Sequence, residues 1–154
     1  VIGPPWLAHV ASAEGIHCVE ALSGLHPAPL DYSSIPGCTY CQPQVASLGL
    51  TEEKARALGR EIKVGRFPFR AVGKAIAAGE TEGLVKLIFD AKYHELIGAH
   101  ILGAEATELI MELVVAKRHE ATAESIMRSV HAHPTMSEAV MEAAADALGE
   151  AINI

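Results

Sequence analysis

Two apolar runs of similar length, joined by a short polar segment, constrain this sequence most. Residues 83–90 (Gly-Leu-Val-Lys-Leu-Ile-Phe-Asp) and 96–102 (Leu-Ile-Gly-Ala-His-Ile-Leu) are β-prone, and residues 91–95 between them have the polar character of a turn. Such a pair predicts a β-hairpin. The hairpin requires antiparallel pairing, because parallel strands need a long crossover between them.

The remaining periodicities predict more strands in the first half and helices in the second. Strands are expected at 38–41, 45–50 and 61–67, and helices at 5–21, 51–59, 69–78, 104–118, 123–130 and 135–149. Helix 51–59 has an N-cap Thr, early acids, late bases and a final Gly. The order of the elements predicts an α+β fold, an antiparallel β-sheet with helices packed on one face.

Composition limits the classes of function. The chain has 154 residues, half of them apolar, which suits one ordinary domain, although the Pro/Gly/His-rich stretch 23–31 resembles a junction between structural units. A net charge of -7 with scattered Lys and Arg argues against a nucleic-acid partner. No apolar run is long enough to predict a membrane span. Three cysteines do not make a secreted disulfide framework and favour a reducing, cytoplasmic location.

The densest group of reactive side chains lies in residues 131–139, His-Ala-His-Pro-Thr-Met-Ser-Glu-Ala. Thr135 and Glu138 have the spacing of a helix capping box, in which the Glu138 carboxylate reaches back toward His133. A carboxylate that orients an imidazole is typical of general-base catalysis. Simple helix capping remains an alternative, as does a metal site that uses His131 and His133.

Cys38 and Cys41 form a lone Cys-x-x-Cys pair without a second pair to complete a zinc site. If both lie on one strand, positions three apart point to opposite faces, so the sulfurs cannot bond. We therefore expect both to behave as small buried hydrophobic residues.

Residues 131–139 resemble the active-site signature of the dihydrolipoamide dehydrogenases, within the pyridine nucleotide-disulfide oxidoreductases, with Met136 at a position that is usually Leu. The resemblance covers essentially the whole chain. It continues through residues 35–36, 43–49, 63–69 and 96–103.

The resemblance implies two parts. Residues 1–30 would be the trailing segment of the FAD-binding domain, with Trp6, Leu7, Ala8 and His9 contacting FAD through backbone groups. Residues 31–154 would be the C-terminal interface domain of a homodimer. FAD and NAD would be the cofactors of the full-length parent, and lipoyl domains and the E2 core of a 2-oxo acid dehydrogenase complex its partners.

The same resemblance implies roles for three residues. His133 would act in trans, across the dimer interface, as the base toward the dihydrolipoyl thiol, and Glu138 would hydrogen-bond and orient it. The peptide before Pro134 would be cis, with the His133 carbonyl aimed at the flavin.

Several features depart from the family pattern. Residues 41–44 are Cys-Gln-Pro-Gln where many relatives have Thr-His-Pro-Glu, and the glycine-rich turns and redox Cys-x-x-x-x-Cys are absent. The chain alone is therefore expected to be inactive. Alternatives are a stand-alone, non-catalytic dimerisation or binding module, and a related glutathione or mercuric reductase.

Overall fold

The computed structural model describes residues 2–153, and the chain folds into two compact units. The first ends at Ile35 and the second begins at Pro36. The division falls five residues after the boundary expected between 30 and 31. The assignment of the first part to a flavin domain stays a prediction.

The first unit is built around helix α1, Ala8–Leu22. It begins three residues later than expected, after the cis Pro4–Pro5 peptide and an extended Leu7. Gly15 lies in the helix interior without breaking it. The unit ends in a 3₁₀ turn, Tyr32–Ser34, which is capped by the Asp31 side chain.

The second unit contains one five-stranded sheet, in which every neighbouring pair is antiparallel and the strand order is β1-β2-β5-β4-β3. The expected hairpin is confirmed. The strands are β1 Gly37–Thr39, β2 Gln44–Gly49, β3 Ile62–Pro68, β4 Gly83–Asp90 and β5 Leu96–Gly103.

Five helices accompany the sheet in the second unit: α2 Glu52–Ala57, α3 Gly73–Ala78, α4 Ala106–Arg118, α5 Ala123–Arg128 and α6 Glu138–Leu148. The expected helix over 69–78 is two pieces, a 3₁₀ turn Phe69–Ala71 followed by α3. The extended Val72 between them caps α3, so a continuous helix was the wrong prediction.

The main core lies between the sheet and the last three helices. Helix α4 contacts β2 and β5, α6 contacts β3 and β4, and α5 packs on α6. The largest buried side chains of this core are Leu48, Phe67, Phe69, Leu87, Phe89, Leu96, Ile101, Ile110 and Leu113. The predicted α+β class, with helices on one face of an antiparallel sheet, is confirmed.

A second, smaller cluster joins α2 to the opposite face of the sheet. It contains Ala55 of α2, Ile88 of β4 and Ile97 of β5. Ile88 belongs to this cluster while Leu87 and Phe89 join the main core, as the alternation of side chains along a strand requires. The short α2 is therefore the exception to the one-sided arrangement.

Within residues 2–153, no helix is both long and apolar enough to cross a membrane.

Candidate active site

The site lies in the segment between α5 and α6. This segment contains His131 and His133, the two histidines singled out in the sequence. The segment has no regular structure from Ser129 until α6 begins, and the His133–Pro134 peptide is cis, as the resemblance implied. Helix α6 begins at Glu138, so the carboxylate is on the first turn of a helix whose buried face is rich in alanine.

His133 and Glu138 are in direct contact. The Nδ1 atom of His133 lies 2.8 Å from Oε1 of Glu138, and 76% of the histidine side chain is exposed. A carboxylate accepts, so Nδ1 carries the proton, and the neutral ring keeps its lone pair on Nε2. Within residues 2–153 nothing forms a hydrogen bond to Nε2, which leaves it able to accept a proton from a substrate.

Thr135 is organised differently from the predicted capping box. Its backbone N–H donates to Oε2 of Glu138 at 2.9 Å, which is the carboxylate half of the box. Its hydroxyl instead donates to the Ala132 carbonyl at 2.7 Å, and Ser137 occupies the N-cap position. The prediction that Thr135 caps the helix was wrong, because the hydroxyl closes the preceding turn.

Glu138 is held in its charged form. The pKa of its carboxyl is lowered, first by the hydrogen bond from the Thr135 N–H and then by His133, against an opposing effect of burial. Each carboxylate oxygen accepts one bond, to the Thr135 amide and to the imidazole. The geometry therefore supplies an exposed base of fixed tautomer.

A surface cavity of about 240 Å³ lies beside this pair and is lined by residues from several parts of the second unit. Phe67 lies near the end of β3, Val72 is the N-cap residue of α3, and Gly73 is the first residue of that helix. Glu142 of α6 is buried at its wall and accepts a bond from the Ile152 N–H at 3.1 Å. The base thus faces a space large enough for a small group.

His131 has a separate carboxylate partner, which no local signal in the sequence predicted. Its Nε2 lies 2.8 Å from Oε1 of Glu112 in α4, nineteen positions away. His131 and His133 are therefore directed to different acids. Among residues 2–153, no group of three or more His, Cys, Asp or Glu side chains is arranged to hold a metal ion.

The residues expected beside a flavin lie at the start of α1. Leu7 caps the helix in an extended conformation, and Trp6, Ala8 and His9 are exposed. The first N–H groups of a helix lack partners within it, so this end can donate to an electronegative group. The arrangement fits a backbone contact with FAD, while contact itself stays a prediction.

The cysteines differ from their expected behaviour in one case. Cys38 is partly buried on β1 and packs against the main core, and burial raises the pKa of its thiol. Cys41 is exposed, because β1 ends at Thr39 and residue 41 begins a turn. The prediction of a buried Cys41 was wrong. Both thiols are free.

A further His–Glu pair was also missed by sequence reasoning. Nδ1 of His94, in the turn between β4 and β5, forms a hydrogen bond with the carboxylate of Glu124 in α5. The φ of His94 is 58°, in the left-handed region, and the His94 carbonyl accepts from the Ala123 N–H at 2.9 Å. The pair joins the hairpin turn to the start of α5, and neither residue lines the His133 cavity.

Comparison with known proteins identifies the family. The sequence profile of the pyridine nucleotide-disulphide oxidoreductase dimerisation domain matches residues 35–144. The chain belongs to this family. Its relatives include the dihydrolipoyl dehydrogenase of Rhizobium etli, which is 57% identical over 99% of this chain. The dihydrolipoyl dehydrogenase of Zymomonas mobilis is 52% identical over 99% of this chain.

The chain spans about a third of the length of these curated relatives, 32% and 33% of the two sequences. Solved structures share the fold. LpdA from Mycobacterium tuberculosis superposes with a TM-score of 0.84 at 22% identity, covering 90% of this chain and 30% of that one. The HOCl-induced flavoprotein disulfide reductase RclA from Escherichia coli gives 0.76 at 24%, covering 86% and 31%. The two solved structures therefore have the same fold as this chain over this region.

Proposed function

We propose that this chain is the C-terminal portion of a dihydrolipoyl dehydrogenase, in which it forms the homodimer interface and supplies the base for oxidation of dihydrolipoamide. The observation that carries the proposal is the 2.8 Å contact between His133 Nδ1 and Glu138, in an exposed histidine that lines a cavity. High identity to dihydrolipoyl dehydrogenases over the whole chain favours it over the glutathione and mercuric reductase alternatives.

The chemistry proposed for His133 is removal of a thiol proton. Oxidation of a dithiol to a disulfide releases two protons and two electrons, and the thiolate rather than the thiol is the attacking species. Nε2 takes the proton as the imidazole becomes a cation, which the ionised Glu138 stabilises. Bound in the full-length parent, FAD would supply the acceptor for the two electrons, with NAD as the final acceptor.

The chain's own residues match only part of the cofactor requirement. The start of α1 offers backbone donors at residues 6–9, where FAD is proposed to lie. No residue of this chain is assigned to NAD. The activity therefore belongs to the full-length parent, with lipoyl domains and the E2 core of a 2-oxo acid dehydrogenase complex as its partners. A cytoplasmic location is part of the same proposal.

Replacement of His133 by Ala in the full-length protein tests the proposal. Loss of a general base lowers kcat for dihydrolipoamide oxidation by about a hundredfold or more. Steady-state assay of NADH formation measures it, and flavin absorbance checks that the variant retains its cofactor. The same substitution at the exposed His119, at the end of α4, should leave the rate unchanged. An active His133→Ala enzyme would refute the assigned base.

A further inference from the structure

The side chain of His131 is largely buried, whereas the side chain of His133 is largely exposed. Only one residue separates them. The His131 side chain is 7% exposed, against 76% for His133. Both ring nitrogens have partners at 2.8 Å: Nδ1 faces the Ser129 carbonyl and Nε2 faces the Glu112 carboxylate. The two partners come from different places, the end of α5 and the middle of α4.

Both partners of His131 are acceptors, which determines its protonation state. A neutral imidazole has one N–H and one lone pair, so it can donate to only one of them. The doubly protonated ring donates to both. The acids that act on it are Glu112 from α4 and, more distantly, Glu138 from α6, and its pKa is raised, first by the Glu112 hydrogen bond and in opposition to burial.

The segment that carries His133 is thereby fixed on both sides. After His133, the Thr135 N–H and hydroxyl bond to Glu138 and to the Ala132 carbonyl. Before it, the His131 ring is the contact that joins the segment to α4. Because His133 is exposed, little packing of its own side chain holds it in place. Its orientation depends on these two anchors.

We propose that His131 is a positioning residue, which bridges Glu112 and the Ser129 carbonyl and so holds the backbone from which His133 presents Nε2. The inference rests on the proposed function only in taking His133 as the base. A shift of about 1 Å in a reacting group lowers rates up to about a hundredfold. Loosening this anchor therefore lowers kcat while the substrate KM changes little.

Kinetics of the full-length protein test the anchor through Glu112→Gln, which keeps an acceptor but removes the charge. A histidine whose pKa is raised in the folded protein keeps the hydrogen bonds of its protonated form below that pKa. It loses them as the pH rises through that pKa. The alkaline limb of the kcat profile therefore moves to lower pH, because the His131 imidazolium loses the negative charge that favours it. A purely structural defect would lower kcat at every pH without moving the alkaline limb.

Two further variants complete the comparison. His131→Leu removes both donors and should lower kcat about tenfold or more. Glu108→Gln makes the same charge change one turn earlier on the exposed face of α4 and should match the wild type. An unchanged profile in Glu112→Gln, or equal effects of Glu112→Gln and Glu108→Gln, would overturn the proposal.

Nitrogen NMR of the full-length protein with ¹⁵N-labelled histidine provides a readout independent of activity. Both His131 ring nitrogens should be protonated at neutral pH, and His131→Leu should shift the His133 ring signals. A neutral His131, or an undisturbed His133, overturns the positioning role. If the wild type does not oxidise dihydrolipoamide but these signals behave as expected, the proposed function fails and the anchor stands.

Discussion

Three cationic side chains contact the carboxylate of Glu52, which lies on the first turn of α2. Arg56 lies 3.1 Å away on the same helix, Arg66 2.6 Å away on β3, and Lys86 2.7 Å away on β4. Arg66 and Lys86 are directly opposite each other in the sheet, where like charges repel. Glu52 offsets that repulsion, and Lys86 and Arg56 together lower the pKa of its carboxyl to about 2.

We expect Glu52→Gln to reduce the free energy of unfolding at neutral pH by roughly 1 kcal/mol, since exposed ion pairs contribute little individually. The folded pKa is depressed, so the contribution of Glu52 is present above its unfolded pKa and lost as the pH falls toward 2. Urea denaturation across this range measures the difference, which should vanish at the acid end. Glu53→Gln, on the exposed side of α2, is the control.

Glu138 accepts from two donors at once, whereas a neutral amide offers a single oxygen. In Glu138→Gln that oxygen can accept from the Thr135 N–H, and the NH₂ group then faces Nδ1 of His133, which can accept only when the imidazole proton moves to Nε2. We expect a loss of about 1–2 kcal/mol in unfolding free energy, because bonds to a charged carboxylate are replaced by weaker neutral ones. Thermal unfolding of the variant beside Glu150→Gln, an exposed site after α6, measures it. Equal stability of the two variants would contradict this account.

At the scale of elements, the contact between β3 and α6 determines where Glu138 lies. Gly65 of β3 faces the helix, and a Cβ there would overlap the Ala143 carbonyl oxygen. The Arg66 N–H also donates to Asp146 of α6 at 2.7 Å. A glycine and an alanine-rich helix face let the two backbones approach this closely, and the approach fixes α6 against β3.

Gly65→Ala should therefore destabilise the second unit by about 3 kcal/mol, the upper range for overpacking, because the atoms that must move are backbone. Chemical denaturation measures the change. Gly15→Ala is the matched control, since no atom lies within 4 Å of its added Cβ and alanine favours a helix interior. A Gly65→Ala protein as stable as Gly15→Ala would show that β3 and α6 are not closely packed.

At the scale of the whole molecule, apolar side chains remain exposed on the second unit. Val45 and Leu102 are register partners on the sheet, each about two-fifths exposed, and Met111 and Val115 are about half exposed on α4. Exposed apolar surface of this kind is typical of a protein interface. The dimerisation-domain family places such an interface in this part of the chain.

We expect the chain to self-associate, with a dimer favoured as concentration rises, since burial of these side chains stabilises the complex. Sedimentation velocity over a wide concentration range measures the mass. The double variant Val45→Thr and Leu102→Thr tests the sheet face, and the double variant Met111→Gln and Val115→Gln tests α4. Each should weaken association. A monomer at every concentration would contradict the proposed interface.

The sequence by itself determined the class of fold and the position of the candidate base. Strand alternation, helix periodicity and turn residues are local, so the hairpin, α4 and the Thr-x-x-Glu spacing could all be read from neighbouring residues. The His133–Glu138 pair is five positions apart and belongs to this local class. The exposure of Cys41 and the capping role of Thr135 were predicted wrongly. The first depends on where β1 ends, and the second on where α6 begins.

Only the tertiary structure decided which distant side chains meet. Glu112 and His131 are nineteen positions apart, Glu52 and Lys86 thirty-four, and nothing in the intervening sequence encodes their contact. The antiparallel order of the sheet brings β3 beside β4 and places α6 against both. Packing then brings the His131 imidazole to Glu112, because burial requires a partner for every polar group that it removes from water.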